Sequence, residues 1–259
     1  MNKSNNNVQA SLFITCIIDN FYPEVGESTA KVLDYFDVKL DLPENQTCCG
    51  QPAFNSGYWN ESKKLAKKFI KDFQNSNYIV IPSGSCTSMI KVFYKELLHD
   101  EKNYTEKINS ISSKTFEFSD FLVNIMGIND LSSYTEKSDN QEEDLITYHE
   151  SCHLRRELNI KNEPRQLISS ISNIKLIEMN QSEVCCGFGG TFAIKYPEIS
   201  SEMLKDKILN IKSSHSNLVT SCDSSCLMQI SGGLKKQNEK IKTTHISEII
   251  YKRLKSKIE

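Results

Sequence analysis

The sequence lacks several features that would assign it to a common class of protein. It has no apolar run near the length of roughly 18 residues that a membrane-spanning helix needs. Residues 1–7 are polar and lack the apolar core and small-residue cleavage site of a signal peptide. Neither sign of charge is in clear excess, with 31 lysines and arginines against 33 aspartates and glutamates. These absences predict a cytoplasmic protein with no membrane span.

Other absences limit what the protein is expected to bind. Without a basic surplus, the surface has no net attraction for a phosphate backbone, so nucleic acid is not an expected partner. No G-x-G-x-x-G motif follows a strand, which argues against a nicotinamide or flavin site. No C-x-x-C motif is present, which argues against a thioredoxin-like thiol–disulfide enzyme. The 259 residues are enough to bury a core as one large domain or two small ones.

What the sequence does have is nine cysteines, eight of which form a repeated pattern. In each half, a single cysteine precedes a Cys-Cys-Gly motif and another single cysteine follows it. The intervals before the motif are 31 and 32 residues, and those after it are 36 and 39 residues. Core packing gives no reason for such a repeat, so the pattern indicates two matching sites. The eight positions are Cys16, Cys48, Cys49, Cys86, Cys152, Cys185, Cys186 and Cys226.

Adjacent cysteines favour an inorganic centre over a disulfide framework. Consecutive Cα atoms lie about 3.8 Å apart, whereas bridged cysteines usually lie about 4.4 to 6.8 Å apart. The glycine after each pair can adopt a left-handed conformation, which lets the backbone turn while both sulfurs face inward. In a reducing cytoplasm, clustered thiols indicate metal or redox chemistry more often than disulfides. Four thiolates in each half suffice for a [4Fe–4S] cluster or for zinc.

The order of predicted elements repeats as the cysteines do. The predicted strands are residues 11–15, 38–40, 78–81, 145–148, 174–177 and 218–220, and the predicted helices are residues 25–36, 60–73, 164–171 and 198–211. Each half then ends in an extended stretch, residues 115–120 or 243–248, in which a serine is predicted to cap a helix. This alternation is typical of βαβ units in mostly parallel sheets, with ligands at the carboxyl ends of strands.

We therefore predict an α/β protein made by internal duplication. The two halves are expected to contain short, mostly parallel sheets, to be related by a pseudo-two-fold axis and to carry one Cys-Cys-Gly site each. The predicted boundaries are residues 1–128 for the first half, 129–144 for a linker and 145–259 for the second half. The linker prediction depends on a run rich in Ser, Glu, Asp and Asn.

Residues other than the eight cysteines are candidates for contact with the second site. A basic or amide-rich wall would stabilise an anionic thiolate cluster. The candidates are His149, His153, Arg155, Arg156, Gly189 and Gly190. His149 ends a predicted strand, so we interpret it as a core histidine with satisfied hydrogen bonds rather than as a ligand. The arginine pair is interpreted as a solvated helix face. The ninth cysteine, Cys222, has two open interpretations, a free structural thiol or an additional ligand of the second site.

Two further segments carry a resemblance to a known family. They are residues 82–86, Pro-Ser-Gly-Ser-Cys, and residues 225–228, Ser-Cys-Leu-Met. With the Cys-Cys-Gly motifs, they resemble the cysteine-rich domain found in heterodisulfide reductase and in the iron–sulfur subunits of glycolate and anaerobic glycerol-3-phosphate oxidation. Over nearly the whole chain, the sequence is similar to the lactate utilization protein A family.

The resemblance implies a function that composition and spacing alone do not. It implies an iron–sulfur subunit of a multi-protein complex that oxidises L-lactate to pyruvate, with electron transfer through cysteine-bound clusters. The implied partners are a ferredoxin-type iron–sulfur subunit and a third subunit. Two alternatives stay open, a zinc-stabilised assembly subunit and a thiol/disulfide oxidoreductase similar to heterodisulfide reductase. No catalytic residue is assigned, and the chain is not expected to be active alone.

The sequence departs from the heterodisulfide reductase pattern once in each half. In that family the last element of the motif is C-x-x-C, which gives five cysteines at each site. Here Ser83 and Asp223 occupy the matching positions. The non-cubane clusters of the five-cysteine relatives are therefore not assumed. The expected cofactor is an iron–sulfur cluster of the [4Fe–4S] type, with zinc as the alternative at one site.

Overall fold

The structure, a computed structural model, describes residues 8–136 and 143–255. The leading residues 1–7, the middle of the predicted linker at 137–142 and residues 256–259 lie outside the described residues. The linker and the domain boundaries therefore stay predictions. No helix in the described ranges combines the length and the apolar composition needed to cross a membrane.

Both halves alternate strands with helices. The first half contains β1 Gln9–Leu12, α1 Cys16–Phe21, α2 Pro23–Tyr35, β2 Lys39–Asp41, α3 Gln51–Asn55, α4 Trp59–Phe73, β3 Tyr78–Ile81, α5 Gly84–Ser88, α6 Tyr94–Leu97, α7 Thr105–Lys114, β4 Thr115–Glu117 and α8 Phe118–Asp120. The second half contains β5 Asp144–Tyr148, α9 Cys152–Arg156, α10 Asn162–Ser169, β6 Ile174–Leu176, α11 Phe192–Lys195, α12 Pro197–Ser213, β7 Leu218–Ser221, α13 Ser224–Lys236, β8 Lys242–His245 and α14 Ile246–Arg253. Short π-helical segments follow α5 and α8, at Met89–Phe93 and Phe121–Ile125.

Two four-stranded sheets have the same strand order, β2-β1-β3-β4 in the first half and β6-β5-β7-β8 in the second. Every strand pair in both sheets is parallel. The strands β1 and β5 occupy the same inner position, each flanked by the strand that follows it and by the third strand of its half. The predicted α/β class with duplicated parallel sheets is confirmed.

Helices cover the sheets through apolar faces. In α4, the buried residues Ala66, Phe69, Ile70 and Phe73 recur every three or four positions and form one face, while lysines occupy the other. This amphipathic pattern makes the segment a helix that packs on the sheet and keeps its charged side in water. The equivalent helix α12 packs in the same place, although its buried face contains a lysine, Lys207.

The halves are joined by reciprocal helix contacts and a shared core. Helix α2 of the first half packs on α14 of the second, and α10 of the second half packs on α8 of the first. The core between them contains Phe118 and Phe121 from one half and Tyr148, Leu154 and Ile246 from the other. Burial of apolar surface from both halves in one core holds the two sheets together. This packing also places the edges at which the parallel strands of each sheet end on opposite sides of a common space.

The prediction that a serine caps the last helix of each half is wrong. Helix α8 begins after Glu117, whose carboxylate accepts the backbone N–H of Ser119 at 2.8 Å. Helix α14 begins after His245, whose Nδ1 accepts the backbone N–H of Ser247 at 3.2 Å. In both helices the serine is the second helical residue. The residue two positions before each serine has a longer acceptor side chain that reaches the free amides. This residue is therefore the N-cap, although serine is usually preferred at that position.

Candidate metal centre

Strand ends and helix starts position the single cysteines. Cys16 begins α1 after β1, and Cys152 begins α9 after β5. Cys86 and Cys226 are each the third residue of the helix that follows β3 or β7. Because β1 lies beside β3, and β5 beside β7, the carboxyl ends of these parallel strands meet at one edge of each sheet. The single cysteines of each half are therefore neighbours.

A left-handed glycine turns each Cys-Cys-Gly motif toward that edge. Gly50 and Gly187 have φ angles of 88° and 87°. Each glycine N–H donates to the Sγ atom of the first cysteine of its motif at 3.4 Å. Each glycine carbonyl accepts a hydroxyl from the next long helix, Ser62 at 3.0 Å and Ser200 at 2.8 Å. The same turn, made of the two cysteines, the glycine and the helix serine, thus fixes the paired cysteines in both halves.

The four thiols of the first half lie in contact. The Sγ atoms of Cys16 and Cys48 are 3.6 Å apart, and those of Cys49 and Cys86 are 3.1 Å apart. Hydrogen bonds from Cys16, Cys49 and the following glycine amide hold the pKa of Cys48 well below its usual range. The same contacts, with burial, raise the pKa values of Cys16 and Cys49. One thiolate is thus stabilised by its neighbours.

The second half repeats this arrangement. Hydrogen bonds from Cys152, Cys186 and the glycine amide lower the pKa of Cys185, while the pKa values of Cys152 and Cys186 are raised. Cys226 completes the set through its contact with Cys186. A ring nitrogen of His149 and the Sγ atoms of Cys186 and Cys226 all lie within 4.8 Å of one another.

Both thiol sets line a single cavity of about 280 Å³ between the two halves. All eight predicted ligands contribute to its wall, and so do Gly189, Gly190 and His153. Ser83 and Asp223, which replace the fifth cysteine of the resembling family, also line it. They hydrogen-bond to each other across the halves, with Ser83 Oγ 3.4 Å from Asp223 Oδ2. The two candidate sites therefore face each other.

The residues fit a thiophilic centre. All nine cysteines are free thiols. A single tetrahedral metal with metal–sulfur bonds of about 2.3 Å would place sulfur atoms about 3.8 Å apart, near the 3.6 Å between Cys16 and Cys48 and longer than the 3.1 Å between Cys49 and Cys86. Soft thiolate donors of this kind bind zinc or iron–sulfur clusters. The structure thus supports a metal or iron–sulfur centre at each set without distinguishing the type.

The basic residues after Cys152 have different surroundings. His153 lines the cavity, and its Nδ1 lies 3.3 Å from Glu157. Arg155 is partly exposed, as expected for a helix face, and it also pairs at 2.5 Å with Glu150, a carboxylate that is almost fully buried. Arg156 is exposed, as expected for a helix face. Neither arginine is among the residues that line the shared cavity.

Cys222 lies apart from the eight cysteines that line the cavity. It is fully buried, it accepts a hydrogen bond from the Tyr148 hydroxyl at 3.6 Å, and its thiol lies 3.9 Å from Ser119 Oγ. Its counterpart in the first half is Pro82, since both lie four residues before the last cysteine of the set. These contacts favour the interpretation of a free structural thiol.

The sequence interpretation of His149 missed its unusual environment. The side chain is fully buried, and neither ring nitrogen has a hydrogen-bond partner of standard geometry among the described residues. Burial, with a smaller effect of Lys207, lowers its pKa to about 3, so the imidazole is neutral. The signal that could have found it is the comparison of the two halves, because Phe13 stands at the equivalent position of the first.

A buried carboxyl group lies behind Cys222 at the junction of the halves. Burial raises the pKa of Glu117 to about 8, although Ser119 hydrogen-bonds to it. Its Oε1 atom has no partner among the described residues. The unfolded chain releases this proton near pH ~4.3. Between these two pKa values the native protein holds a proton that the unfolded chain has lost, so stability falls as pH rises.

We expect Glu117→Gln to flatten the dependence of stability on pH between about pH 4.5 and pH 8. Glutamine keeps an acceptor oxygen but cannot ionise, whereas Glu117 costs the wild type up to about 1.4 kcal/mol for each pH unit in this window. Urea unfolding under reducing conditions at several pH values measures the difference. If the free energies of unfolding of the two proteins change with pH in parallel, Glu117 is not the group that causes the pH dependence.

Comparison with known proteins agrees with the duplicated architecture. A family model described as the CCG cysteine-rich domain matches the chain twice, at residues 10–91 and 146–231. These ranges contain all eight cysteines of the two sets. A solved Yersinia pestis structure, described as an Asp/Glu racemase, covers 94% of this chain and 96% of its own at 10% identity and a TM-score of 0.36, which is too low to indicate a shared fold.

Curated relatives match nearly the whole chain. Lactate utilization protein A 2 of Bacillus cereus (strain AH820) is 44% identical over 248 residues, which are 95% of this chain and 99% of the relative. Lactate utilization protein A 1 of Bacillus anthracis (strain CDC 684 / NRRL 3495) has the same identity and coverage. Lactate utilization protein A of Oceanobacillus iheyensis is 41% identical, over 94% of this chain and 96% of the relative. The chain therefore belongs to the cysteine-rich CCG domain family and, within it, to the lactate utilization protein A family.

Proposed function

We propose that the protein is a cytoplasmic iron–sulfur subunit of a multi-protein system that oxidises L-lactate to pyruvate. Its relatives are named for lactate utilization. The observation that supports an electron-transfer role is the single cavity lined by both thiol sets. Two centres that face one space can exchange electrons with each other and with a molecule between them. A purely structural role gives no reason for this arrangement.

The two thiol sets would each hold one [4Fe–4S] cluster, a centre that supplies one-electron redox chemistry at a potential set by hydrogen bonds, charge and solvent access. Residues of the chain provide the hydrogen bonds and limit the solvent access. Glycine amides donate to the sulfur of the first cysteine in each Cys-Cys-Gly motif. The second cysteine of each motif is buried, which limits water at that side of the centre. The first half would use Cys16, Cys48, Cys49 and Cys86, and the second Cys152, Cys185, Cys186 and Cys226.

Lactate oxidation by the system would require partner subunits. Removing two electrons and two protons from a 2-hydroxy acid needs a two-electron acceptor and a base. His153, which lines the cavity close to Glu157, could take a proton. The sequence has no flavin or nicotinamide motif to take the electron pair. A ferredoxin-type iron–sulfur subunit and a third subunit are the partners that we propose to complete the reaction.

We expect the anaerobically purified chain to bind iron and sulfide but to give no lactate-dependent dye reduction alone. Activity should appear when the partner subunits are added. The combined substitutions Cys49→Ser and Cys186→Ser should abolish that activity, because each removes a buried thiol from one set. Because loss of the centres also lowers the stability of the chain, size-exclusion chromatography has to show that the altered chain still joins the assembly before its inactivity is interpreted.

Cys222→Ser is the matched control, since this thiol lies outside the cavity wall, and it should keep full activity. Turnover of lactate by the single chain would contradict the subunit role. Full activity of an assembly carrying both substitutions would indicate a scaffold. A protein that contains zinc and no iron would favour the zinc-stabilised alternative.

A further inference from the structure

One equivalent position, which in the second half lies close to Cys186 and Cys226, carries different residues in the two halves. In the first half, the N–H of Phe13 donates to the Val80 carbonyl at 3.0 Å, just beyond the pair formed by β1 and β3. In the second half, the N–H of His149 donates to the Thr220 carbonyl at 2.8 Å, just beyond the pair formed by β5 and β7. The register is the same in both sheets. His149 therefore occupies the place that Phe13 has in the first half.

A second exchange accompanies the first. Phe69 and Lys207 each lie seven residues after the serine that holds the glycine of the Cys-Cys-Gly motif. In the first half, the rings of Phe13 and Phe69 meet edge to face with centroids 4.9 Å apart. In the second half, the buried Lys207 Nζ donates to the carbonyls of Gln181 at 2.8 Å and Ser182 at 3.1 Å. Where the first half has two packed aromatic rings, the second half has an imidazole and an ammonium group.

This exchange costs stability unless something binds the imidazole. A buried polar atom without a partner costs about 1 to 3 kcal/mol, and His149 buries two ring nitrogens without hydrogen bonds of standard geometry. The first half shows that a phenylalanine fits the same place at no such cost. A ligand that completes the coordination of the ring would offset the penalty.

The surroundings of the ring suit a metal ligand. One ring nitrogen lies within 4.8 Å of the Sγ atoms of both Cys186 and Cys226. The Ser182 carbonyl, which accepts the Glu150 N–H and the Lys207 ammonium at 3.1 Å each, also lies beside the ring. A histidine that binds a metal usually donates its other N–H to a carbonyl or carboxylate. Imidazole and thiolate together form a common donor set for zinc and are also found at iron–sulfur centres.

We propose that His149 takes the place of one of the four thiolates as a ligand of the metal centre in the second half, so that this centre has mixed cysteine and histidine ligation while the first centre has cysteine ligation alone. The proposal rests on the proposed function in one respect, that a metal centre occupies the second site. A neutral imidazole brings less negative charge than a thiolate, and the nearby Lys207 ammonium adds positive charge. Both raise the reduction potential, so the second centre should be reduced before the first.

The test uses the full chain labelled with ¹⁵N-histidine and reconstituted anaerobically with iron and sulfide. A Cys86→Ser background removes the first centre, so that electron paramagnetic resonance of the reduced protein reports the second. Pulsed nitrogen spectroscopy should show the strong ¹⁵N coupling of a bound histidine. His149→Phe, which introduces the residue type that Phe13 supplies in the first half, should abolish that coupling. His153→Gln is the control and should keep the coupling. His153 lines the cavity next to Cys152 in the sequence, but it does not belong to the group of donors formed by His149, Cys186 and Cys226.

The outcomes separate this proposal from the proposed function. A cluster without bound nitrogen in the labelled wild type, or coupling that survives in His149→Phe, overturns the histidine ligand and leaves the iron–sulfur subunit intact. If His149→Phe does not fold, the presence or absence of coupling in the labelled wild type decides. If the wild-type chain binds zinc and no iron, the proposed function fails. X-ray absorption then tests the ligand, since imidazole scattering supports it and an all-sulfur shell overturns it. A protein that binds neither metal overturns both.

Discussion

Cys226→Ser is expected to remove the metal centre of the second half and to destabilise the fold. Cys226 is buried, and its Sγ lies within 4.8 Å of the Cys186 sulfur and of a His149 ring nitrogen. A hydroxyl is a poor ligand for the thiophilic centres that this site suits. Metal binding at such sites is partly folding energy, of the order of 10 kcal/mol for structural zinc. The loss should therefore appear both in metal content and in stability.

Cys222→Ser is the matched control for this experiment. Cys222 lies four residues earlier and is at least as well buried, but its thiol contacts Tyr148 and Ser119. A serine can keep hydrogen bonds to both, so the expected cost is about 1 kcal/mol or less. Iron, sulfide and zinc per chain, together with the thermal midpoint, measure the two variants. Cys226→Ser should retain about half of the wild-type metal and Cys222→Ser all of it. Equal metal loss would mean that Cys222 is a ligand.

The parts of the fold that the sequence predicted well have a local cause. The strand predicted at residues 78–81 coincides with β3, because a continuous apolar run there is bounded by Asn77 on one side and by Pro82 on the other. The strand predicted at 11–15 lies instead at Gln9–Leu12. Phe13 is as buried as the strand itself, and apolar composition reports burial rather than the end of a hydrogen-bonded ladder.

The arrangement of the two sites could not be predicted, because no local pattern describes how the halves pack. The spacing of the cysteines predicts two sets, and the parallel sheets bring each set together. That both sets line one cavity depends on the contacts of α2 with α14 and of α10 with α8. Leu131 shows the same limit, since it lies in a polar run yet is fully buried in the core shared by the halves.

The second large effect is expected at Gly187. A left-handed backbone with φ of 87° costs a residue other than glycine about 1 to 2 kcal/mol. An added Cβ would also lie 2.6 Å from the backbone oxygen of Ser200, which cannot move without shifting the start of α12. Overpacking of this kind typically costs a further 1 to 3 kcal/mol or so. Gly187→Ala should therefore lose about 2 to 5 kcal/mol and displace Cys185 and Cys186 from the centre.

Two other glycines separate strain from collision. Gly57 has a similar φ of 84°, but an added Cβ meets nothing within 4 Å, so Gly57→Ala should show the backbone cost alone. At Gly50 the nearest atom is the Ser62 hydroxyl at 2.9 Å, which can rotate away, so an intermediate loss is expected. Urea unfolding and metal content of the three variants measure the series. Equal losses at Gly57 and Gly187 would mean that the start of α12 yields to the new methyl group. A graded loss would mean that the close approach of α12 holds the second Cys-Cys-Gly turn in place.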